Sequence, residues 1–246
     1  MSIEHKPYST NMNEEHTMSN LEGKVAGEQI QIAPYEPNIT AVLCVDHYND
    51  FLSESGKLWP LVKDVAEEVN LLDNLRNIVR TARESNISIF HVPHHRMEPG
   101  DYENWKYPSP YQLQGAKNQI FAKGSWGGTF HDDFQVQPGD IVATEHWGSS
   151  GFPNTDLDHQ LKRHGKEKII VIGLIANTCI EATARIGMEL GYHVTLVRDA
   201  TAARSREALY AAMDIDGPTY AHEILTSQEV IAAMGNSMAS GVAARG

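Results

Sequence analysis

Short apolar segments alternate with helical patterns along most of this chain, and this alternation constrains the fold more than any other feature. The segments typical of buried strands are 41–46, 87–93, 140–146, 168–174, 193–200 and 222–226. The helical patterns are 61–84, 154–165, 179–191 and 206–214, and Thr226 with Glu229 forms a predicted capping box for a final helix. This order predicts right-handed βαβ units, and hence one doubly wound α/β domain with a mostly parallel sheet.

The regions outside this alternation are the N-terminus and one long loop. Residues 1–38 are polar and lack a sustained period, so we expect an N-terminal arm followed by one domain over residues 39–246. Apolar residues make up 41% of the chain, which is enough for the core of such a domain. The segment 94–138 is rich in proline, glycine and aromatic residues, and a loop region of this length is typical of a functional excursion.

Charge and cysteine content exclude several classes of protein. Twenty Lys and Arg against thirty-two Asp and Glu give a net charge of −12, which argues against nucleic acid or an anionic membrane surface as the main partner. The two cysteines do not make a disulfide framework. The N-terminus lacks an apolar signal core, and no apolar run approaches the roughly 20 residues that a membrane helix needs. We therefore expect a cytoplasmic protein.

The residues at the ends of the predicted strands are the candidates for function, because doubly wound sheets bind ligands beyond the carboxyl edge. These residues are Asp46, His91, His94, His95, Glu145, His146, the 175–179 turn and Asp199. They comprise titratable groups and one thiol. The first strand is not followed by G-x-G-x-x-G, and the chain contains no G-x-x-x-x-G-K-[ST] motif. We therefore predict neither a dinucleotide site nor a P-loop, and no cofactor.

Cys179 lies where the fourth predicted strand ends and a helix begins. Backbone N–H groups and the helix dipole at such a junction favour a thiolate, and the same N–H groups can hold an oxyanion. The alternative is a small buried residue, as expected for Cys44 in the middle of the first strand. We favour a nucleophile for Cys179. Asp46, at the end of the first strand, can be either its acid–base partner or a cap of the adjacent turn.

Three separated segments carry a resemblance to a known family. AVLCVDHYNDFL, IVATEHWGSSGFPNTDLDHQL and IIVIGLIANTCIEATARIGMELGYHVTLVRDAT resemble segments of the isochorismatase-like cysteine hydrolases, which include nicotinamidases and other small-amide hydrolases. The resemblance covers roughly residues 40 to 235. It implies a three-layer α/β/α fold with a six-stranded parallel sheet in the order 3-2-1-4-5-6. It further implies a nucleophile at Cys179, an acid–base carboxylate at Asp46, and a homodimer or homotetramer.

The same resemblance implies an unusual, often cis, peptide near Ile175 and Ala176, beside the expected oxyanion site. The sequence departs from the family at the end of the third strand, where the pattern has a lysine and this chain has Glu145. We expect Asp46 and Glu145 to share one proton there, because two carboxylates and a thiolate cannot all ionise in a small dry pocket. Alternatively, Lys123 or His146 supplies the missing positive charge, or the site is inactive and only binds a ligand.

Residues near the predicted strand ends are also candidates for a substrate pocket and for a metal site. The candidate pocket residues are Phe51, His94, His95, Trp126, His146 and Trp147. Nicotinamidases hold a divalent ion near the second strand through Asp and His ligands, but the HVPHHR segment does not reproduce their pattern. A zinc site needs three or four convergent ligands, so we predict no metal.

The predicted function is hydrolysis of a C–N bond in a small amide-type substrate through a thioester on Cys179. Catalysis would use Cys179, Asp46 and Glu145, with backbone groups near Ile175 and Ala176 holding the oxyanion. Two alternatives stay open. One is vinyl-ether hydrolysis of the isochorismatase type, which can dispense with the cysteine, and the other is a non-catalytic binding module.

Overall fold

Strand β1 (Thr40–Val45) lies in the middle of the sheet, and all of its residues are buried. It pairs in parallel with β2 (Ser88–Val92) on one side and with β4 (Lys168–Leu174) on the other. The structure is a computed structural model that describes residues 32–243, with side chains up to residue 235. The continuous apolar character of β1 and β4 is what a strand buried on both faces of a parallel sheet requires.

The remaining strands are β3 (Ile141–Val142), β5 (His193–Ala202) and β6 (Glu223–Leu225). The sheet has six strands in the order β3-β2-β1-β4-β5-β6, and every pairing is parallel. Helices flank it as α1 (Asn49–Leu52), α2 (Trp59–Glu68), α3 (Leu71–Glu84), α4 (Pro110–Asn118), α5 (Leu157–Arg163), α6 (Glu181–Glu189), α7 (Arg206–Tyr210) and α8 (Ser227–Ala243). The predicted α/β/α fold and strand order are confirmed.

The helical pattern at 61–84 forms two helices rather than one. Asn70 adopts a left-handed conformation with φ of 55° between α2 and α3, and its neighbour Asn74 donates a side-chain hydrogen bond of 2.8 Å to the carbonyl of Val69. Asparagine tolerates this backbone region better than most residues, so the amphipathic pattern continues across a break. The predicted capping box at Thr226 and Glu229 is present, because each residue's side chain accepts a hydrogen bond from the other's N–H.

The third strand is much shorter than the predicted 140–146 segment. Its ladder with β2 ends at Val142, because Pro93 of the partner segment has no N–H to donate. The two segments nevertheless stay adjacent: the N–H of His146 donates to the Pro93 carbonyl at 2.9 Å, and the N–H of His95 donates to the His146 carbonyl at 2.9 Å. This arrangement brings His146 to the carboxyl edge of the sheet.

The unit that carries the sheet begins at Ala33, inside the predicted N-terminal arm. Tyr35 is buried, and its hydroxyl donates to a carboxylate oxygen of Glu223 at 2.8 Å, which attaches this segment to β6. The rest of the predicted arm, residues 1–31, lies outside the described residues. Within residues 32–243, no helix has both the length and the apolar character needed to cross a bilayer.

Candidate active site

Three strand ends bring a carboxylate, an imidazole and a thiol together. Asp46 follows β1, His146 lies beyond β3, and Cys179 follows β4. Nε2 of His146 is 3.1 Å from Oδ1 of Asp46. A side-chain oxygen, nitrogen or sulfur atom of each of the three residues lies within 4.8 Å of such an atom of the other two. Asp46 and His146 are fully buried and Cys179 is 7% exposed. The group therefore forms a site that is largely shielded from water.

The backbone at the end of β1 turns Asp46 into this position. Asp46 has a left-handed φ of 57°, and its N–H donates to the Val92 carbonyl of β2 at 3.1 Å. Aspartate is one of the few residues other than glycine that visit this region readily. The turn therefore ends the strand and holds the carboxylate at the edge of the sheet.

Cys179 lies in a π-helical turn (Ala176–Ile180) directly before α6. The peptide bond between Leu174 and Ile175 is cis, one bond before the predicted location. Gly173 lets β4 approach β1 closely here, since a Cβ at this position would lie 2.1 Å from the carbonyl oxygen of Val45. Glycine is thus required for the close packing that brings the thiol near Asp46.

His146 is oriented by hydrogen bonds on both ring nitrogens. Nδ1 lies 2.7 Å from the Gly148 carbonyl, which only accepts hydrogen bonds, so Nδ1 carries a proton. Burial would lower the pKa of His146, but the facing carboxylate of Asp46 raises it above its ordinary value. Burial also lowers the pKa of the neighbouring His94, to about 4, with the proximity of His146 adding to the effect. Of these two imidazoles, His146 is therefore the one whose charged form the site favours.

The same contacts set the charges of the other two groups. Burial would raise the pKa of Asp46, but the imidazolium of His146 lowers it below its ordinary value. Burial and the carboxylate of Asp46 raise the pKa of the Cys179 thiol well above its usual range. The expectation of a resting thiolate at this strand–helix junction is therefore wrong, because these effects outweigh the backbone groups around the sulfur. The resting pair is a thiol beside a carboxylate.

Glu145 does not pair with Asp46, contrary to the prediction. Its carboxylate accepts hydrogen bonds from the side chain of Arg96 at 2.6 Å and from the backbone N–H of Arg96 at 3.0 Å, and it lies 3.3 Å from Nδ1 of His95. Burial would raise the pKa of Glu145, but these hydrogen bonds lower it to about 2. The proposed sharing of one proton between Asp46 and Glu145 is therefore wrong.

Lys123 and His146 are the two candidates for the positive charge beside Asp46, and the structure favours His146. Nζ of Lys123 forms an ion pair with Glu98 at 3.1 Å, at a half-exposed position. His146 instead lies against Asp46 inside the site. The imidazolium therefore takes the place beside the carboxylate.

A cavity of about 320 Å³ opens onto Asp46 and Cys179. Its apolar lining includes Phe51, Leu58, Met97, Ile120 and Phe121. Helix α4 contributes Tyr111 to the lining, and Arg204 lies next to it, with the guanidinium carbon 5.4 Å from the centre of the Tyr111 ring. Arg204 is the only Arg or Lys that lines this cavity among the described residues. The cavity therefore has mostly apolar walls, one thiol and one arginine.

Two of the six predicted pocket residues line the cavity, and His146, which lies against Asp46, is not among the described residues that do. Phe51 and His94 line the cavity. The rings of His95 and Trp147 stack with their centroids 3.5 Å apart and line a neighbouring surface cleft together with Glu145. Trp126 is 52% exposed and is not among the described residues that line the cavity. His95, Trp126 and Trp147 therefore do not line the cavity that contains the thiol.

Arg204 and Tyr111 were missed by sequence reasoning. Arg204 follows β5 by two residues, so the rule that singled out the other strand ends applies to it as well. Tyr111 lies on a helix within the long 94–138 segment and carried no periodic signal. Tyr111 lines the cavity only because the 94–138 segment packs α4 against it.

The described histidines in and just after β2 do not converge on a metal position. Nε2 of His91 faces Asp140 at 3.1 Å, Nδ1 of His94 faces the His95 carbonyl at 2.9 Å, and Nε2 of His95 faces Asp101 at 2.8 Å. Each ring thus has its own partner. The described residues therefore do not fit the metal site that nicotinamidases have near this strand.

Comparison with known proteins assigns the chain to a family. The isochorismatase domain model matches residues 40–228, a range that contains Asp46, His146 and Cys179. The chain belongs to the isochorismatase family.

Several known proteins are similar to this chain over most of its length. Ureidoacrylate amidohydrolase RutB of Caulobacter segnis is 28% identical over 178 residues, which are 68% of this chain and 74% of that protein. RutB of Pantoea ananatis is 28% identical over 190 residues, covering 73% of this chain and 76% of that protein. N-carbamoylsarcosine amidase of Thermoplasma acidophilum has a TM-score of 0.62 and 27% identity, covering 77% of this chain and 96% of that one.

A cysteine hydrolase of Pseudomonas syringae pv. phaseolicola has the same fold. Its TM-score is 0.70 at 24% identity, with coverage of 86% of this chain and 99% of that one. Together these similarities establish a hydrolase of the isochorismatase-like superfamily. In this chain, the imidazole of His146 lies beside the carboxylate at the end of β1.

Proposed function

We propose that this protein is a cysteine amidohydrolase that cleaves a C–N bond in a small amide or ureido compound. The proximity of the Cys179 thiol to the buried carboxylate of Asp46, with the two ligand atoms within 4.8 Å of each other at the wall of a cavity, carries this proposal. A nucleophile within reach of a base, which is in turn oriented by a third group, is the arrangement that covalent hydrolysis needs. The two amidohydrolase relatives support the reaction type.

The first half of the reaction forms a thioester. Sγ of Cys179 attacks the substrate carbonyl carbon while Asp46 takes the thiol proton. Backbone N–H groups near Ala176 and Cys179 hold the oxyanion of the tetrahedral intermediate. The intermediate then collapses, the C–N bond breaks, and Asp46 gives its proton to the leaving nitrogen.

The second half regenerates the enzyme. Water attacks the thioester carbonyl as Asp46 takes one of its protons, and the C–S bond breaks when this second intermediate collapses. The proton returns to Sγ of Cys179, so neither protons nor electrons are gained or lost over the cycle. His146 acts throughout as a positioning residue, because its imidazolium keeps Asp46 ionised between proton transfers.

The cavity indicates the kind of compound that reacts. Its volume of about 320 Å³ lies at the lower end of the range for small-molecule pockets. Arg204 lines this cavity and offers a guanidinium to a carboxylate of the substrate. The name of the RutB relatives specifies a ureido acid as their substrate. We therefore propose small ureido or amide compounds that bear a carboxylate, acted on in the cytoplasm by a homo-oligomer.

The proposal is tested by a screen of small amides, ureas and carbamates for release of ammonia or amine. Cys179→Ala should abolish activity on the substrates that the screen finds. Cys44→Ala, which removes the other thiol from the middle of β1, serves as the matched control and should retain activity. Full activity of Cys179→Ala on those substrates would reject the thioester route.

A further inference from the structure

The carboxylate, imidazole and thiol of the site are also a set of metal ligands. Among the described residues, Asp46, His146 and Cys179 form the one group of at least three such side chains whose donor atoms lie within 4.8 Å of one another. Zn²⁺ binds oxygen, nitrogen and sulfur at about 2.0–2.3 Å, so neighbouring ligand atoms of a tetrahedral site lie about 3.3–3.8 Å apart. The distance of 3.1 Å between Nε2 of His146 and Oδ1 of Asp46 is already close to that spacing.

The orientation of His146 suits a metal ligand. Its Nδ1–H donates to the carbonyl of Gly148 at 2.7 Å, so in the neutral ring the lone pair is on Nε2, which faces Asp46. Metal-ligating histidines commonly donate their other ring N–H to a carbonyl or carboxylate in this way. The tautomer that metal binding requires is therefore fixed by the backbone.

An unsatisfied oxygen provides a second, independent observation. Oδ2 of Asp46 is buried and forms no hydrogen bond of ordinary geometry with any described residue. A buried carboxylate oxygen without a partner is costly, and a cation at this position would satisfy it. Asp46 and Cys179 both line the cavity, so an ion can reach them and a water molecule can complete a fourth coordination position.

We propose that Asp46, His146 and Cys179 bind Zn²⁺, or another divalent cation with affinity for thiolate, and that this ion reversibly blocks the hydrolase. Binding releases the proton of the Cys179 thiol and the Nε2 proton of the imidazolium. The two negative charges of the thiolate and the carboxylate then match the charge of the ion. The ion is an inhibitor and not a catalyst, because it occupies the lone pair of the sulfur that would attack the substrate. The blocking part of this inference rests on the proposed function, whereas the binding part does not.

Cobalt provides a direct test, since a Co²⁺–thiolate bond gives a charge-transfer band in the near ultraviolet. Metal-free protein titrated with Co²⁺ should show this band with one equivalent bound, and Zn²⁺ should displace it. Mg²⁺ should not, because it prefers oxygen ligands. Cys179→Ala should lose the band. His146→Lys should weaken Zn²⁺ binding about 100-fold or more, because loss of a ligand costs more affinity than loss of a residue that only hydrogen-bonds to a ligand. Cys44→Ala is the control and should bind as the wild type does.

A second measurement avoids dependence on the folding of variants. Zn²⁺ should protect Cys179 of the wild-type protein from alkylation by iodoacetamide, as read by peptide mass spectrometry, and a chelator should remove the protection. Absence of both the band and the protection would overturn the proposal, as would a band that persists in Cys179→Ala. A cobalt band without any amide hydrolysis would reject the proposed function and leave the metal site standing. Hydrolysis that one equivalent of Zn²⁺ does not inhibit would reject the blocking role.

Discussion

The imidazole of His146 and the carboxylate of Asp46 face each other at 3.1 Å, and both side chains are fully buried. A buried ion pair of this kind fixes the protonation of both partners, since each lowers the cost of charging the other. Here it keeps a base next to a thiol that is itself protonated at rest. The charges of the site depend on this pairing.

The first prediction concerns the charge on His146. His146→Ala should lower kcat/KM by about 10²- to 10⁴-fold, the usual contribution of acid–base catalysis, because Asp46 loses the cation that keeps it ionised. His146→Lys should recover part of the loss, since an ammonium at this place restores the charge. Steady-state kinetics on both variants separate the charge from a packing role. Equal loss in the two variants would show that the imidazole acts through its shape or its ring nitrogens.

Glu145 provides a contrasting prediction. Its carboxylate is directed at Arg96 and His95 rather than at Asp46, so Glu145→Gln should change kcat by less than about tenfold. Kinetics on the same substrate as for the His146 variants provide the comparison. A loss of activity as large as that of His146→Ala would show that Glu145 takes part in catalysis.

Arg204 should determine the preference for acidic substrates. Arg204→Ala should raise KM for a substrate that bears a carboxylate, by about tenfold or more for the loss of one charge-assisted hydrogen bond, and leave a neutral amide of the same size unaffected. Arg206→Ala is the matched control, because that arginine pairs with Glu68 at the surface. An equal change in KM for charged and neutral substrates would contradict the assigned role.

A fourth prediction concerns stability behind the site. Asp140 accepts a hydrogen bond from Arg83 at 2.7 Å and contacts His91, and its side chain is 6% exposed. Burial would raise the pKa of Asp140, but the hydrogen bond from Arg83 lowers it below its ordinary value. Asp140→Asn should therefore reduce the free energy of unfolding by about 1.5–3 kcal/mol at neutral pH.

The pH dependence of that difference has a definite sign. A carboxylate whose pKa is lowered by folding contributes its stability above the unfolded pKa of about 4, and loses it as the pH falls through the folded pKa. The gap between wild type and Asp140→Asn in chemical denaturation should thus shrink below about pH 4. Glu67→Gln, at an exposed pair with Lys63, should change stability by no more than about 0.5 kcal/mol. A gap that does not depend on pH would contradict the ionic role of Asp140.

The sheet and the meeting of three strand ends followed from the sequence, because strand periodicity and parallel topology are local patterns with few global solutions. The identity of the group beside Asp46 did not follow. Glu145 and His146 are adjacent, and only the interruption at Pro93 and the ion pair of Glu145 with Arg96 decide which of them faces the carboxylate. A shift of one residue along an extended segment exchanges its two faces.

The protonation of Cys179 was also beyond the reach of the sequence. The junction of a strand and a helix favours a thiolate, but burial and a carboxylate at close range reverse that preference. Neither the depth of burial nor the distance to Asp46 can be read from spacing along the chain. The elements that form the site were thus predictable, and its charges were not.

The central claim, that Cys179 is the nucleophile, is tested most directly by mass spectrometry of the protein quenched during turnover of an active substrate. The account predicts that the peptide containing Cys179 gains the mass of the substrate acyl group, while the peptide containing Cys44 stays unmodified. Rapid turnover with no acyl group on Cys179, under conditions that trap thioesters, would contradict it.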